Sequence, residues 1–583
     1  MKQLVELERL GALSVLDVEL ARALTRLAPG TSDDVALAVA LASRELSAGH
    51  VCADLARSAG TCIVDDGDAD GLRFPMLEAW RETLHASALV STHGLDAPAR
   101  PLVLDGDRLY LARYYEHERA IAARLRALAT SPVADVGAPP ALAAQLFPRA
   151  STAPDLQRDA ALAARTRRFS VIVGGPGTGK TSTVVKLLAL LVHDALAAGK
   201  PPPRSLLVAP TGKAAQRLSE AITRARESLA IDDAVKRGIE TRASTLHRAL
   251  GPVDGSLTRF RHDASRPLAC DLVLLDEASM VDLALMRRFL DAVPDGARVI
   301  LLGDPDQLAS VEAGGVLHDI CRAAEQPDSA LAGCVSRLRE SYRYPKDSGI
   351  AKLAAAVHAQ RLDDVLAIAR AGLPDVACHP TPPPRELGRA LEREVRSHYA
   401  DLRARTLATR LDALDHFRVL CAHRRGPASV EQLNPAISRA LGRRDGRLRE
   451  SYPGRPVIIT ENDYATSLFN GDVGVLHAQA GPKRELMACF RESAERVREI
   501  SVGRLPTHES AYAMTVHKSQ GSEFDHVAIV LPERPSRILS RELLYTAITR
   551  AKRSVSVYAS EASLASAVLQ RVERSSGLVM RLT

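Results

Sequence analysis

Eight cysteines, at positions 52, 62, 270, 321, 334, 378, 421 and 489, are scattered without a Cys-x-x-Cys pair or a Cys/His ligand cluster. That spacing excludes structural zinc, iron–sulfur clusters and a disulfide framework, and leaves the thiols as small core residues. No apolar run approaches the ~20 residues of a membrane span. Residues Met1 to Arg9 lack the apolar stretch of a secretory signal, so the chain is expected in the cytoplasm. Aromatic residues amount to only 4%, too few to advertise a surface built on extensive base stacking. A strong excess of one charge is missing as well: 77 Lys and Arg face 70 Asp and Glu, a formal +7 with pI near 9.0. Such a balance permits a polyanionic partner without demanding one.

What is present is length and ordinary globular composition. With 583 residues, 46% hydrophobic and 25% charged, the chain outgrows a single core, and roughly 150 residues per domain gives three to four units. Residues 1–125 carry helical periodicity, as from Val15 to Leu24, with a short β-like stretch at Arg108–Leu111. Turn-rich residues over 126–155 read as a linker with one short helix. From Ser170 onward short apolar strands alternate with helices, at 205–209, 272–275, 298–302, 417–421, 511–516 and 527–530. That is the rhythm of a parallel α/β fold. The prolines from Pro374 to Pro384 divide these strands into two lobes, 156–370 and 371–583. Turn signals predict a β-hairpin over 251–267 in the first lobe and, around Asn470-Gly471-Asp472, a small β insertion over about 457–505 in the second.

The residues that carry chemistry begin at a strand, Val171-Ile172-Val173. It runs into Gly174, Gly175, Pro176, Gly177, Thr178, Gly179, Lys180, Thr181 and Ser182, followed by a helix from Val184 to Leu191. Glycines at this spacing turn backbone N–H groups around phosphates, the Lys180 ammonium reaches the β- and γ-phosphates, and the Thr181 hydroxyl suits Mg²⁺. This chain is therefore expected to bind a nucleoside triphosphate with Mg²⁺. A second apolar strand, Leu272–Leu275, ends in Asp276, suited to the metal, and Glu277, suited to the attacking water. A third delivers Gln307, whose amide could sense the γ-phosphate. Ser341-Tyr342-Arg343 and the run Leu544 to Lys552 place Arg343 and Arg550 near the junction of the lobes, where an arginine stabilises charge on a transferring phosphoryl group.

These motifs stand in order with Ala209–Ala215 (Ala-Pro-Thr-Gly-Lys-Ala-Ala), Ser244–His247, Leu274–Met280, Gly303–Leu308 and Thr515–Phe524. The set resembles the superfamily 1 helicases, most closely the RecD branch, and the likeness covers about 150–583. Ala48–Cys52 and Gly106–Leu111 extend it, since they are similar to the N-terminal domain of RecD, the alpha chain of exodeoxyribonuclease V. The resemblance implies two RecA-like P-loop ATPase lobes, a mainly helical N-terminal domain and small β insertions, the second of them SH3-like. It makes the nucleotide ATP, Gln157 an adenine reader and Tyr342 an adenine-stacking ring, with Arg343 and Arg550 on the γ-phosphate. Pro210, Thr211, Thr245, His247, Thr515, His517 and Ser519 fall in motifs that look like the branch's single-strand DNA contacts. Small hydroxyls and imidazoles suit phosphates without demanding a sequence.

The resemblance further implies a motor that runs 5′ to 3′ on single strands and unwinds duplex DNA ends for break repair and recombination. It would work in a heterotrimer with RecB-like and RecC-like chains, the N-terminal domain docking on the latter. No separate acidic cluster with a following lysine appears outside the ATPase motifs, so nuclease activity is expected in a partner. Two alternatives stay open: a free-standing helicase of the same branch, against which residues 1–120 show no Gly-x-Gly hairpin pattern, and a subunit whose ATP cycle gates a complex without translocation. Asp66–Gly71 imitates a Ca²⁺ loop, but its twelfth position is Leu77, Glu78 comes one residue late and Pro75 breaks the exit helix. The arginine-rich run 439–449 reads as a solvated helix and loop.

Overall fold

The computed structural model describes residues 1–64, 72–92, 100–133, 137, 139–148, 154–253, 256, 258–345, 347–383, 386–399, 406–441, 451–463, 465–479, 485–492 and 496–583. The acidic turn 66–71 lies outside them, as does most of the arginine run 439–449.

The N-terminal region pairs helices with a sheet. Strands β1 (Ala53–Asp54), β2 (Val90–Ser91), β3 (Leu102–Asp105) and β4 (Arg108–Leu111) lie in the order β1-β4-β3-β2. The expected β-like stretch is thus one strand of four; the two-residue strands β1 and β2 are too short to leave a periodic signal. Trp80 is wholly buried beneath this sheet, stacked on Phe74 with centroids 5.4 Å apart. Its indole N–H donates to the Asp34 carbonyl at 3.0 Å, the partner a buried indole requires.

Strands β5 (Phe169–Gly174), β6 (Ser205–Ala209), β7 (Ala243–Thr245), β8 (Leu272–Leu275), β9 (Arg298–Gly303) and β10 (Val335–Leu338) form one sheet in the order β10-β5-β9-β8-β6-β7. Every pairing is parallel. Alternate residues serve opposite faces. Val171, Val273 and Leu275 enter a core with Ile121, Met286 and Phe289, whereas Ile172, Leu272 and Leu274 enter a core with Leu187 and Leu188. Coverage on both faces explains why the strands read as unbroken apolar runs.

The second lobe's sheet opens with β11 (Val376–His379) and β12 (Phe417–Cys421), then the chain leaves for five antiparallel strands. These are β13 (Pro456–Ile459), β14 (Val473–Ala478), β15 (Leu486–Arg491), β16 (Val497–Ser501) and β17 (His508–Ser510), ordered β16-β15-β14-β13-β17. The chain returns with β18 (Ala513–Thr515), β19 (Phe524–Val530) and β20 (Ala551–Tyr558), completing a parallel sheet β11-β20-β19-β12-β18. The β insertion therefore spans 456–510 rather than 457–505, because β17 pairs back onto β13.

Three expected boundaries shift. The helix Ala112–Thr130 runs through position 125 and buries Ile121, Leu125 and Leu128 in the first lobe's core, so no domain ends there. Ile350, Leu353, Val357 and Val365, from the helices Gly349–His358 and Leu362–Arg370, belong to the second lobe's core. The lobes therefore divide after β10, not at 370. The prolines do not separate them, since β11 lies between Pro374 and Pro380 and pairs with β20. Finally, Leu578 and Leu582 return to the first lobe's core, so the second lobe does not extend to 583. At 251–267 the described residues hold only isolated bridges, Pro252 with Phe260 and Asp263 with Arg266, in place of a two-stranded ribbon.

Candidate nucleotide and single-strand sites

The register of the first sheet sets one edge to work. Val173 lies beside Gly303 and Leu275 beside Leu301, so the segments leaving β5, β9 and β8 emerge next to one another. The segments leaving β6 and β7 emerge on the same edge, further along.

At the end of β5 the chain takes left-handed turns at Gly177 (φ +76) and Gly179 (φ +84). A Cβ at Gly179 would stand 2.2 Å from Nε2 of Gln157, and one at Gly177 would stand 2.3 Å from Cβ of Arg343. Glycine is required twice over, by conformation and by close approach. Lys180 opens the helix Lys180–Ala197, its ammonium donating to the carbonyls of Gly174 at 2.6 Å and Gly175 at 3.1 Å. Thr181 and Ser182 follow in the first turn. Gln157 donates its amide N–H to the Thr178 carbonyl at 3.2 Å. The segment leaving β10 closes over the loop: Tyr342 N–H donates to Gly177 O at 2.8 Å and Ser341 Oγ to Pro176 O at 3.0 Å. Tyr342 is 68% exposed beside it.

Beyond β8, Asp276 Oδ1 accepts from the Glu277 N–H at 2.9 Å, and Glu277 sits at φ 51, a left-handed value costly for a side chain of that length. Burial holds the Asp276 carboxyl well above the usual carboxylate range, the Glu277 charge adds to this, and Lys180 opposes it. A half-buried carboxylate so short of positive charge suits a divalent cation, and the Thr181 hydroxyl, which lines the same cleft, is the right chemistry for a second ligand. Among the described residues no group of three His, Cys, Asp or Glu could hold a metal by itself.

Beyond β9, the buried Gln307 bridges the lobes. Its Nε2 donates to Asp304 Oδ2 at 3.0 Å, and its Oε1 accepts from Arg550 Nη2 of the second lobe at 2.7 Å. Arg550 is further held by the carbonyls of Thr546 and Ser522. Arg343 donates to Glu523 and to the Thr549 carbonyl. Lys180, Asp276, Glu277, Gln307, Arg343 and Arg550 all line one cleft of about 1040 Å³, shared by the phosphate loop and both lobes.

The residues proposed for the DNA strand sit at the ends of β6, β7 and β18. Pro210 and Thr211 follow β6, and Thr211 caps the helix Gly212–Ser228 by accepting from Ala214 N–H at 3.2 Å. Thr245 caps the helix Leu246–Leu250 through the Arg248 N–H at 3.1 Å. His247 is exposed, its ring edge-on to Phe260 at 5.8 Å. Thr515 accepts from Lys518 N–H at 3.3 Å. His517 is half-buried, and burial lowers its pKa. Ser519 departs from expectation: it is fully buried and its hydroxyl donates to the Val516 carbonyl at 2.7 Å. Its side chain shapes the turn and cannot touch a strand.

Residues 9–110 match the family model of the RecBCD enzyme subunit RecD N-terminal domain, 157–313 an AAA domain and 510–558 the UvrD-like helicase C-terminal domain. The chain is 42% identical to the RecBCD enzyme subunit RecD of Mycobacterium tuberculosis, over 98% of its own length and 95% of that protein's. It belongs to the RecD family. A Mycolicibacterium smegmatis RecBCD enzyme subunit RecD is 40% identical over 98% of this chain and 97% of its own. The ATP-dependent RecD2 DNA helicase of Deinococcus radiodurans is 30% identical over 82% of this chain and 58% of its own.

Several side chains of this RecD-family site escaped the motif reading. Asp304 is buried and also accepts from Tyr545 OH at 3.3 Å across the lobes. Thr546 Oγ1 accepts from Leu308 N–H at 2.9 Å, and Gln520 Nε2 donates to Leu308 O at 2.7 Å. Glu523, two residues past Gly521, faces Arg217, Arg343 and Lys552. These cations hold its carboxyl down at about 2 despite burial. The one available signal was their place inside motifs that were read for other residues.

Proposed function

We propose that this chain is the ATP-dependent motor subunit of a RecBCD-like assembly, translocating 5′ to 3′ on single-stranded DNA and unwinding duplex ends for break repair and recombination. The observation that carries this reading is the hydrogen-bonded chain Asp304–Gln307–Arg550, which joins the phosphate-loop lobe to the second lobe across the cleft. A site that draws Arg550 from the far side completes itself only when the lobes are closed, so hydrolysis can drive their relative motion.

In this assignment Gln157 and Tyr342 flank the adenine beside the phosphate loop. Lys180 exchanges its two carbonyl partners for phosphate oxygens. Thr181 and Asp276 hold Mg²⁺, which supplies charge neutralisation at the phosphates. Glu277 orients the attacking water and takes its proton. Arg343 and Arg550 offer guanidinium donors to the charge that develops on the γ-phosphate, and Gln307, hydrogen-bonded to Arg550, reports its loss. Pro210, Thr211, Thr245, His247, Thr515 and His517 track the strand's backbone.

RecB-like and RecC-like chains are the proposed partners, the latter through the N-terminal domain, and the nuclease belongs to a partner. What supports assembly is near full-length likeness to subunits named for RecBCD, in contrast to the 58% coverage of RecD2. The test is steady-state ATP hydrolysis with and without single-stranded DNA. Stimulation by the strand that vanishes in Lys180→Gln is expected; hydrolysis indifferent to DNA would favour an ATP-gated subunit that does not translocate.

A further inference from the structure

Glu523 and its cations connect two places that the function needs to connect. The turn Ser519–Glu523 of the second lobe is seated on the first turns of the helix Gly212–Ser228 in the first. A Cβ at Gly521 would stand 3.3 Å from Ala214 Cβ and 3.6 Å from Thr211 Oγ1, so Gly521 rests on the helix's capped end. Further along that helix, Arg217 Nη2 donates to the Glu523 carbonyl at 3.3 Å, and its Nη1 stands 4.0 Å from the Glu523 carboxylate. The other carboxylate oxygen accepts from Arg343, which also donates to the carbonyl of Thr549, next to Arg550. Lys552 approaches Glu523 at 3.8 Å from the next strand.

We infer that Arg217 is a positioning residue: through Glu523 it couples the strand-facing end of the helix Gly212–Ser228 to the placement of Arg343 in the nucleotide cleft. This rests on the assignment of Thr211 to the strand and of Arg343 to the γ-phosphate. The chemistry is a competition between anions. An arginine has a fixed set of donors. Those of Arg343 that Glu523 engages are unavailable to a phosphate, and the hold of Glu523 on Arg343 depends on how Arg217 and Lys552 share the same carboxylate. A strand that shifts the Thr211 end of the helix against Gly521 moves Arg217 relative to Glu523. The carboxylate is thereby redistributed between Arg217 and Arg343, and Arg343 is freed to swing toward the γ-phosphate. Because the Glu523 main chain and side chain both bond to this set, the turn and the helix behave as one lever.

The experiment measures ATP hydrolysis by the full chain across a titration of oligothymidylate, for Arg217→Gln, Arg217→Lys, Glu523→Gln and the double variant Arg217→Gln/Glu523→Gln. The expected result is that Arg217→Gln reduces strand stimulation about fivefold or more. The hydrolysis rate without DNA and the KM for ATP should stay within about twofold, and Arg217→Lys should recover part of the stimulation. In the Glu523→Gln background, Arg217→Gln should add little, since the shared carboxylate is already gone. Equal loss of basal and stimulated rates in Arg217→Gln, or independent addition in the double variant, would overturn the coupling. Absence of stimulation in the parent chain would instead remove the motor reading beneath it, and Lys180→Gln separates that case by reporting whether the nucleotide site turns over at all.

Discussion

The nucleotide side of the cleft and the proposed strand side, at the ends of β6, β7 and β18, use their polar side chains in opposite ways. On the nucleotide side Arg550 bonds across the lobes to Gln307, and Arg343, which follows β10, bonds to Glu523 and to the Thr549 carbonyl, partners distant in sequence. On the strand side Thr211, Thr245 and Thr515 bond to backbone N–H groups three residues on. The first arrangement is strong because it joins charges in a partly buried cleft, and it is sensitive to lobe separation. The second is local, and survives any motion of the lobes. Nucleotide state can therefore reshape the first arrangement while each cap of the second keeps its own geometry, Thr211 and Thr245 travelling with the first lobe and Thr515 with the second.

That contrast predicts graded damage. Substitution on the cross-lobe side should fall on turnover: Arg343→Ala or Arg550→Ala is expected to lower kcat for ATP by about 10³-fold, with nucleotide affinity changing far less. A loss confined to KM would mean that these arginines only bind. On the strand side, Thr245→Ala or Thr211→Ala removes a helix cap worth about 1 kcal/mol. It should raise the DNA concentration for half-maximal stimulation while leaving basal hydrolysis alone; calorimetry beside a DNA titration separates the two effects. Ser519→Ala sharpens the comparison from below. Its buried hydroxyl faces Val516 O, so DNA affinity should stay within about twofold while stability falls by about 1 kcal/mol. A large affinity loss there would return Ser519 to the strand.

A pH effect probes the nucleotide half alone. Burial raises the Asp276 pKa in the native chain, so the unfolded chain ionises this group first as pH increases. Stability contributed by the protonated native form is intact below the ordinary carboxylate value of about 4 and declines as pH rises toward the raised native one. Thermal melting without nucleotide should show that decline. Asp276→Asn should flatten it, and Mg²⁺ with nucleotide should reduce it. A profile unchanged by Asp276→Asn would mean that the carboxylate finds its positive charge within the protein.

Much of this was legible beforehand, for a definite reason. The phosphate loop, Asp276, Glu277, Gln307 and the strands beneath them are local signals, in which an apolar run ends at a residue type that the chemistry dictates. What could not be read is tertiary. The placement of the helices 349–370 in the second lobe depends on which sheet receives Ile350 and Val357. The continuity of the helix Ala112–Thr130 through position 125 depends on a core supplied by distant residues. The return of Leu578 and Leu582 to the first lobe leaves no mark on their own segment. Glu523 and Ser519 stand in the same motif, yet one reaches the nucleotide cleft and the other is buried in its own turn. Ser519 through Ser522 are buried and Glu523 is half-buried at the cleft, and that burial, not residue type, decides it.

The most direct measurement is ATP-dependent strand separation on duplexes bearing either a 5′ or a 3′ single-stranded tail, for the parent chain and Lys180→Gln, with and without RecB-like and RecC-like chains. Unwinding of the 5′-tailed duplex alone, abolished by Lys180→Gln, is the predicted result. Hydrolysis without strand separation in every setting, or a preference for the 3′ tail, would contradict it.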